Sequence, residues 1–273
     1  MSTEIRPDGT NMTDGTAAQP RIRVNGVAKS FDTEQGRLHV VNDISLEVAE
    51  GEILAIVGPS GCGKSTLMGM LAGFIASDRG TIEVDGSVQT VPSSRGILIT
   101  QQGSVFPWLT VRQNLMFGLV GRAHDEKQQL ADHYADMVGL KGFEKRYPHE
   151  LSGGMLKRVE LARALVVKPD ILYMDEPFSA LDALTHLRMR NELLRILAVE
   201  RHTVVLITHD VEEAIHVADR IIVLSIRPTT IKASFDVPFA HPRKLSGAPV
   251  QELRAAILRE LGVEAYADEP APT

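Results

Sequence analysis

The sequence predicts an α/β fold built on a mixed sheet. Four runs are continuously apolar, at residues 53–57, 171–174, 204–208 and 221–224. Such runs are typical of parallel strands that are covered on both faces. Residues 103–168 contain no comparable run and read as helical instead. We therefore expect a sheet domain into which a helical subdomain is inserted.

The N-terminal part of the core predicts a second, smaller sheet. Short strands are expected at residues 22–24 and 38–41, and residues 44–48 alternate apolar and polar side chains. That alternation is typical of an antiparallel sheet with one face in solvent. The predicted fold class is therefore α/β, with an N-terminal antiparallel β subdomain and an inserted α-helical subdomain.

The two ends of the chain differ from this core in composition. Residues 1–20 are rich in Thr, Asn, Asp, Gly and Pro, and we expect them to be disordered. The core is expected to span residues 21–225. Prolines interrupt the C-terminal extension at residues 226–273, in which a helix is predicted around 250–261 and a frayed end after 268.

The composition limits the classes of function. Of 273 residues, 44% are hydrophobic and 23% are charged, as in an ordinary globular protein. The apolar runs are far shorter than the ~20 residues that cross a bilayer, and no apolar signal core begins the sequence, so we expect a cytoplasmic location. The single cysteine, Cys62, excludes an intramolecular disulfide. A net charge of −6 without a Lys/Arg-rich run argues against nucleic acid as a partner.

A glycine-rich loop after the first apolar run carries the strongest functional signal. Its sequence is Gly58-Pro59-Ser60-Gly61-Cys62-Gly63-Lys64-Ser65, followed by Thr66. Glycines let successive backbone N–H groups turn toward an anion, and the helix predicted to follow adds its unpaired N–H groups. The pattern predicts a nucleoside triphosphate site in which Lys64 contacts the β and γ phosphates and Ser65 binds Mg²⁺. One face of that helix is expected to be buried, because apolar residues recur at helical spacing: Leu67, Met70, Leu71 and Phe74.

The apolar run at residues 171–174 leads into two adjacent carboxylates, Asp175 and Glu176. Successive side chains of an extended segment point in opposite directions, so the two acids can have different roles. We assign Asp175 to Mg²⁺ and Glu176 to the attacking water. The alternative is a plain acid pair at a strand end, which the phosphate loop in the same chain disfavours.

A second helix N-terminus with anion-binding potential follows the sequence Leu151-Ser152-Gly153-Gly154-Met155. Ser152 has the position of a helix N-cap, next to backbone N–H groups that can bind an anion. Taken alone, the segment is better explained as an ordinary serine cap with a glycine turn. Its functional interpretation depends on the other motifs.

Together these motifs resemble those of the nucleotide-binding subunits of ATP-binding cassette transporters. The matching segments are Walker A at 58–66, Gln101 six residues before Pro107 as in the glutamine loop, the signature motif at 151–155, Walker B at 171–176, the D-loop at 179–182 and the switch histidine His209. The resemblance covers residues 22–224. It implies a P-loop NTPase core, with ATP and Mg²⁺ bound at the Walker motifs.

The resemblance also implies a composite site between two copies of the chain. Ser152 and Gly154 of one copy would touch the γ-phosphate of ATP bound to the other, and Asp182 would link the two sites. The partner subunit would thus give the second helix N-terminus a function that it lacks in a monomer.

Three further roles follow from the same resemblance. Gln101 would sense Mg²⁺ and the attacking water, while His209 would hold the γ-phosphate and orient the water with Glu176. Phe31 resembles the family's aromatic residue that stacks on adenine. A half-buried phenylalanine is also common as a structural residue, and this alternative stays open.

The family's partners are other chains. A membrane permease would dock near the glutamine loop, and residues 101–117, with the apolar cluster 105–109, form the candidate contact strip. For Trp108 alone, packing within the helical subdomain is an equal alternative. The segments 179–185 and 225–228 resemble the nitrate, sulfonate and taurine branch of bacterial importers, which implies a solute-binding protein and a place at the cytoplasmic face of the inner membrane.

Some positions depart from the family pattern. Lys157 stands where glutamine is usual, Glu160 where a small residue is usual, Thr100 where an aromatic residue is expected and Thr229 where the branch has glycine. The first three remove no group that contacts phosphate or metal. Thr229 weakens the assignment to the importer branch.

Other functions in the same family are the alternatives. The chain could serve a transport system with a different cargo. A cassette that acts on ribosomes or DNA usually carries two cassettes or a long insertion, which this sequence lacks. A regulatory cassette would be expected to lack the base or the switch histidine, whereas Glu176 and His209 are both present.

Overall fold

The computed structural model describes residues 19–101, 103–178, 183–199 and 202–263. Its strands are β1 (Ile22–Thr33), β2 (Gly36–Val48), β3 (Ile53–Val57), β4 (Arg79–Val84), β5 (Ser87–Val88), β6 (Gly96–Ile99), β7 (Ile171–Asp175), β8 (Thr203–Ile207), β9 (Arg220–Leu224) and β10 (Ile231–Asp236). Its α-helices are α1 (Lys64–Leu71), α2 (Val111–Met116), α3 (His124–Met137), α4 (Gly153–Leu165), α5 (Ala183–Val199), α6 (Val211–Val217) and α7 (Ala248–Glu260). The predicted disorder before residue 19 lies outside the described residues.

The larger sheet has six strands in the order β10-β9-β3-β8-β7-β6. Five of them are parallel, and β10 pairs antiparallel with β9 at one edge. The four apolar runs form β3, β7, β8 and β9, nearly all of whose residues are buried. This confirms the mixed sheet of the predicted fold class, because parallel strands covered on both faces need apolar side chains in both directions.

Alternate residues of the parallel strands enter different cores. Leu54 and Ile56 of β3 pack with α1 and the small sheet. Ala55 and Val57, which point the other way, pack with α6 and α7. The sheet thus lies between α1 and the small sheet on one face and α6 and α7 on the other. The carboxyl ends of its parallel strands meet at one edge, where ligands of open α/β sheets bind.

The smaller sheet is antiparallel, in the order β2-β1-β4-β5. Two strands predicted separately, at 38–41 and 44–48, belong to the single strand β2. Asp43 has a φ of 50° there, and the register with β1 shifts between Val27 and Lys29. A bulge therefore accommodates the polar residues that the sequence analysis took for a break between two strands.

The helical subdomain consists mainly of α2, α3 and α4, as predicted. Buried apolar residues of these helices, Leu115, Tyr134 and Val159 among them, form one core with the outer side of β6 to β8. Thr110 caps α2 by accepting a hydrogen bond from Gln113 N, while the Gln113 side chain accepts from Thr110 N. The described residues of this region form no β-strand between Ile99 and Ile171.

Strands β4, β5, β6 and β10 were not predicted from the sequence. The two-residue β5 and the four-residue β6 are too short for a periodic signal. β4 contains Gly80, a residue type that is depleted in strands. Glycine is needed there because a Cβ would come within 2.4 Å of the carbonyl oxygens of Asn25 and Gly26. β10 alternates half-buried and exposed residues at a sheet edge, and it brings part of the predicted C-terminal extension into the main sheet.

The helix after the phosphate loop is shorter than predicted. Leu67, Met70 and Leu71 are buried, but α1 ends at Leu71 and Phe74 is exposed. Gly73 has a φ of 80°, which ends the helix in the left-handed region that glycine adopts without strain. Phe74 therefore does not belong to the buried face of α1.

Candidate functional site

The phosphate loop connects β3 to α1 at the carboxyl edge of the main sheet. Gly61 has a φ of 70° and Gly63 a φ of 120°. A Cβ on Gly63 would lie 2.8 Å from the Val40 side chain, so glycine is required there for both conformation and space. The loop therefore adopts the glycine-dependent turn before a helix N-terminus that is typical of phosphate-binding loops.

Lys64 is the first residue of α1 and is only 7% exposed. Its Nζ donates to Gly58 O at 2.9 Å and to Pro59 O at 3.0 Å. The ammonium group is therefore held inside the loop. Because a buried charge needs hydrogen-bonded partners, this fixed cation provides a preformed binding group for the triphosphate.

A cleft of about 700 Å³ runs along this loop. It brings together predicted residues from five separate segments of the sequence: Phe31, Ser60, Gly61, Gly63, Lys64, Ser65, Thr66, Gln101, Glu176 and His209. A cavity of this size accommodates a nucleotide. Phe31 lines the cleft and is 38% exposed, so that a base can cover a face of its ring.

Glu176 lies at the centre of a polar cluster just beyond the end of β7. Its Oε2 accepts a hydrogen bond from Gln101 Nε2 at 3.2 Å and lies 3.3 Å from His209 Nδ1. Glu176 has a φ of 47°, and its backbone N–H donates to Ile207 O at 2.9 Å. Left-handed backbone is rare outside glycine, and such residues are concentrated at functional sites.

Asp175 forms a second polar pair with Ser65, which lines the cleft. The Ser65 hydroxyl donates a hydrogen bond to the Asp175 carboxylate. Burial raises the pKa of Asp175, the hydrogen bond from Ser65 opposes that change, and the nearby Glu176 charge adds to it. A partly buried carboxylate beside a hydroxyl fits the oxygen ligands that Mg²⁺ prefers.

The predicted signature residues lie elsewhere on the surface. Ser152 caps α4, with its Oγ accepting from Met155 N at 3.3 Å. Ser152 and Gly153 are exposed and Gly154 is partly exposed. None of the three lines the cleft of their own chain. The predicted D-loop residue Asp182 lies outside the described residues.

Three cleft residues were not predicted as site residues: Leu38, Val40 and Arg227. The Arg227 guanidinium lies 3.6 Å from the position that a Cβ on Gly61 would occupy. Its segment was interpreted only as a mark of the importer branch. Leu38 and Val40 were interpreted only as strand residues, although their proximity to Phe31 in the same small sheet was a usable signal.

Thr229, the departure from the branch pattern, supports the phosphate loop. Its hydroxyl donates to the carbonyl oxygen of Cys62, and its N–H donates to Val40 O at 2.8 Å. Thr229 is fully buried. The residue therefore joins the loop after β9 to both the phosphate loop and β2.

A buried charged cluster supports the segment that carries His209. The Thr208 hydroxyl donates to Glu213 Oε2 at 2.5 Å, and Asp210 Oδ1 accepts from Glu213 N at 3.2 Å. Burial raises the pKa of Glu213 to about 7, the hydrogen bond from Thr208 opposes this, and repulsion from Asp210 adds to it. His186, Asp210 and Glu213 place possible ligand atoms within 4.8 Å of one another.

The family assignment follows from a comparison with known proteins. The family model described as ABC transporter matches residues 41–179. The chain belongs to the ABC transporter family. It is an ATPase of that family and binds ATP. Among the described residues, no helix is both long and apolar enough to span a membrane.

Three curated relatives match over most of their length. An uncharacterized ABC transporter ATP-binding protein of Methanocaldococcus jannaschii is 40% identical, over 88% of this chain and 91% of the relative. The aliphatic sulfonates import ATP-binding protein SsuB of Bacillus cereus is 37% identical, over 88% and 95% respectively. The taurine import ATP-binding protein TauB of Roseobacter denitrificans is 40% identical, over 80% and 83%.

Solved ABC cassettes share the fold. The dimeric structure of a bacterial ABC transporter cassette superposes with a TM-score of 0.71 at 26% identity, covering 80% of this chain and 100% of that chain. A dimeric post-hydrolysis state of the same cassette, bound to ADP and Pi, gives a TM-score of 0.70. These similarities confirm the predicted P-loop NTPase core.

Proposed function

We propose that two copies of this chain close on ATP and that its hydrolysis drives a separate permease that imports small sulfonate, taurine or nitrate-type anions. One observation carries the proposal. The cleft contains the phosphate loop and the Glu176 cluster, but the signature residues that would complete it are exposed elsewhere on the same chain. A second copy supplies the missing wall.

The roles of the cleft residues follow from their positions. Lys64 and the N–H groups of the phosphate loop hold the triphosphate, and Phe31 stacks on the adenine. Glu176 takes a proton from the attacking water, with Gln101 and His209 orienting the carboxylate and the water. Ser65, Asp175 and Gln101 are suited to hold Mg²⁺. When bound, the ion neutralises charge on the phosphate oxygens.

The second copy contributes the N-terminus of its α4. Ser152, Gly153 and Gly154 there are solvent-accessible, and a Cβ on Gly153 would meet no atom within 4 Å. The exposed helix end can therefore approach the γ-phosphate of the partner's ATP without rearrangement of its own chain. Asp182 is proposed to connect the two sites.

The permease is proposed to dock on residues 101–117. Trp108 is 70% exposed, which favours a role in an interface over packing within the helical subdomain. The Phe106 ring lies 5.5 Å from that of Trp108 and 4.5 Å from that of Phe117. An exposed cluster of aromatic rings is characteristic of a protein interface. Docking there places the chain at the cytoplasmic face of the inner membrane, with a solute-binding protein on the other side.

The cargo is proposed from the relatives. SsuB and TauB are named for import of aliphatic sulfonates and of taurine, and this chain is similar to both over most of their length. Sulfonates and nitrate share a small anionic head, and the permease and the solute-binding protein would select among them. Segments 179–185 and 225–228 carry the resemblance to this branch.

Growth on defined nutrients tests the cargo. We expect deletion of the gene in its own organism to abolish growth on taurine or an alkanesulfonate as the sulfur source, or on nitrate as the nitrogen source. Growth on sulfate with ammonium should be unchanged. The wild-type gene should restore growth, and the Glu176→Gln gene should not. Normal growth of the deletion strain on all three anions would contradict the proposed cargo.

A further inference from the structure

Two of the residues that depart from the family pattern form a buried ion pair on α4. Lys157 Nζ lies 2.9 Å from Glu160 Oε2, and the two side chains are 10% and 3% exposed. The residues are three positions apart, so they share one face of the helix. A small residue at position 160 and glutamine at 157 would place no charge here.

Both members of this pair also bind the glutamine loop. Glu160 Oε1 accepts the backbone N–H of Ser104, and Lys157 Nζ donates to Gln101 O at 3.4 Å. The next residue along the same face, Arg163, donates to Ser104 Oγ at 2.5 Å and covers the Phe106 ring at 4.8 Å. Three side chains on one face of α4 therefore contact Gln101, Ser104 and Phe106.

Burial makes these contacts costly to lose. A buried carboxylate is stable only when it is paired and hydrogen-bonded, and Glu160 has both a cation and a backbone donor. Displacement of the loop from α4 would leave the Glu160 charge with an unsatisfied oxygen. The loop and the helix are therefore expected to move together.

We propose that Lys157 and Glu160 are positioning residues that couple the glutamine loop to the signature helix. Gln101 binds Glu176 Oε2 through its side chain and Lys157 through its backbone, so one chain of contacts joins the catalytic carboxylate to α4. This inference rests on the proposed function, because α4 carries the residues that cover the partner's ATP and residues 101–117 receive the permease. The pair holds α4 and the proposed docking strip in fixed positions relative to Gln101.

The test combines hydrogen exchange with kinetics on the purified full-length chain. In Glu160→Ala, exchange of the Ser104 amide should rise on the order of tenfold or more, since its acceptor is lost. The kcat for ATP hydrolysis should fall about tenfold, while the KM and the ATP dissociation constant stay within about threefold. Glu160→Gln, which keeps an acceptor oxygen, should retain most of the Ser104 protection.

Two further variants keep the result interpretable. Lys157→Gln/Glu160→Ala removes both charges and therefore leaves none buried without a partner, so it serves if Glu160→Ala does not fold. It should show the same rise in exchange and the same loss of kcat. Glu192→Ala/Arg195→Ala removes an exposed pair of the same spacing on α5 and should change neither.

Several results would overturn the inference. These are unchanged Ser104 exchange in both Glu160→Ala and Lys157→Gln/Glu160→Ala, a raised KM with normal kcat, or equal effects from the α5 control. The exchange measurement needs neither nucleotide nor permease. A wild-type chain that fails to dimerise or to support import would therefore contradict the proposed function while the exchange result still decides whether the loop is held to α4.

Discussion

The two halves of the proposed ATP site differ in how complete they are within one chain. On the phosphate-loop half, Lys64 is buried and held by two carbonyl oxygens, and Glu176 already contacts Gln101 and His209. On the signature half, Ser152 makes its cap bond to Met155 N, and it and Gly153 face solvent. One half is formed within the chain, and the other is exposed and accessible to the proposed partner.

This difference teaches that binding and hydrolysis depend on different numbers of chains. ATP affinity should be a property of the single chain, since the phosphate loop is formed without help. Rapid hydrolysis should require the second chain, because in the proposed dimer the partner's α4 supplies donors to the γ-phosphate. The variants below separate these two properties.

The largest effect is expected from Lys64→Ala, which removes the fixed cation of the preorganised half. ATP affinity should fall on the order of 100-fold, because a charge-assisted contact to the triphosphate is lost. Isothermal titration calorimetry measures it. Lys141→Ala, which removes an exposed lysine of the helical subdomain, should leave affinity unchanged. An unaltered affinity in Lys64→Ala would refute the assigned role of the phosphate loop.

A mixture of two inactive proteins tests whether the halves come from different chains. Ser152→Arg blocks the signature surface, and Lys64→Ala disables the phosphate loop, so each protein alone should hydrolyse little ATP. Mixed dimers contain one intact composite site, so an equal mixture should recover up to about a quarter of the wild-type rate if chains pair at random. The rate of phosphate release, measured with malachite green, quantifies the recovered activity. If the mixture stays as inactive as its components, the site does not form between chains.

The smallest effect concerns the charged cluster beneath His209. The folded-state pKa of Glu213 is about 7, above its ordinary value of 4.5, so the folded chain retains a proton that the unfolded chain releases. Stability should therefore fall as the pH rises from about 4.5 to 7 and stay reduced above 7. Glu213→Gln removes this penalty and should stabilise the protein at pH 8 by about 1–3 kcal/mol, with little change at pH 5.

Urea unfolding at both pH values provides the measurement for Glu213. Glu252→Gln, an exposed position on α7, is the matched control and should alter stability at neither pH. Equal stabilisation of the Glu213 variant at pH 5 and pH 8 would contradict a penalty that depends on ionisation. The glutamine side chain still offers an oxygen to the Thr208 hydroxyl, so that hydrogen bond is preserved.

The sequence pointed to the groups of the preorganised half because they lie in contiguous motifs. The loop at 58–66 and the acids Asp175 and Glu176 are adjacent to strong apolar strands, and parallel strands bring their carboxyl ends to one edge. Gln101 and His209 came only with the family resemblance. Their positions in the cleft agree with it.

Long-range contacts account for what was missed. Arg227 and Thr229 reach the phosphate loop only because β9 lies beside β3 in the sheet. The order of strands in a sheet cannot be read from the local sequence pattern. The pairing of Lys157 with Glu160 was also visible as an i,i+3 spacing. Its contacts with Gln101 and Ser104 depend on how α4 packs against a segment more than fifty residues earlier.

The most direct test of the account is the mass of the Glu176→Gln protein in the presence of ATP and magnesium. With hydrolysis blocked, the closed state should persist. Light scattering after size exclusion should then give twice the 29.8 kDa of one chain, and the chain should remain monomeric without nucleotide or with ADP. A monomer at saturating ATP would contradict the claim that ATP is held between two copies.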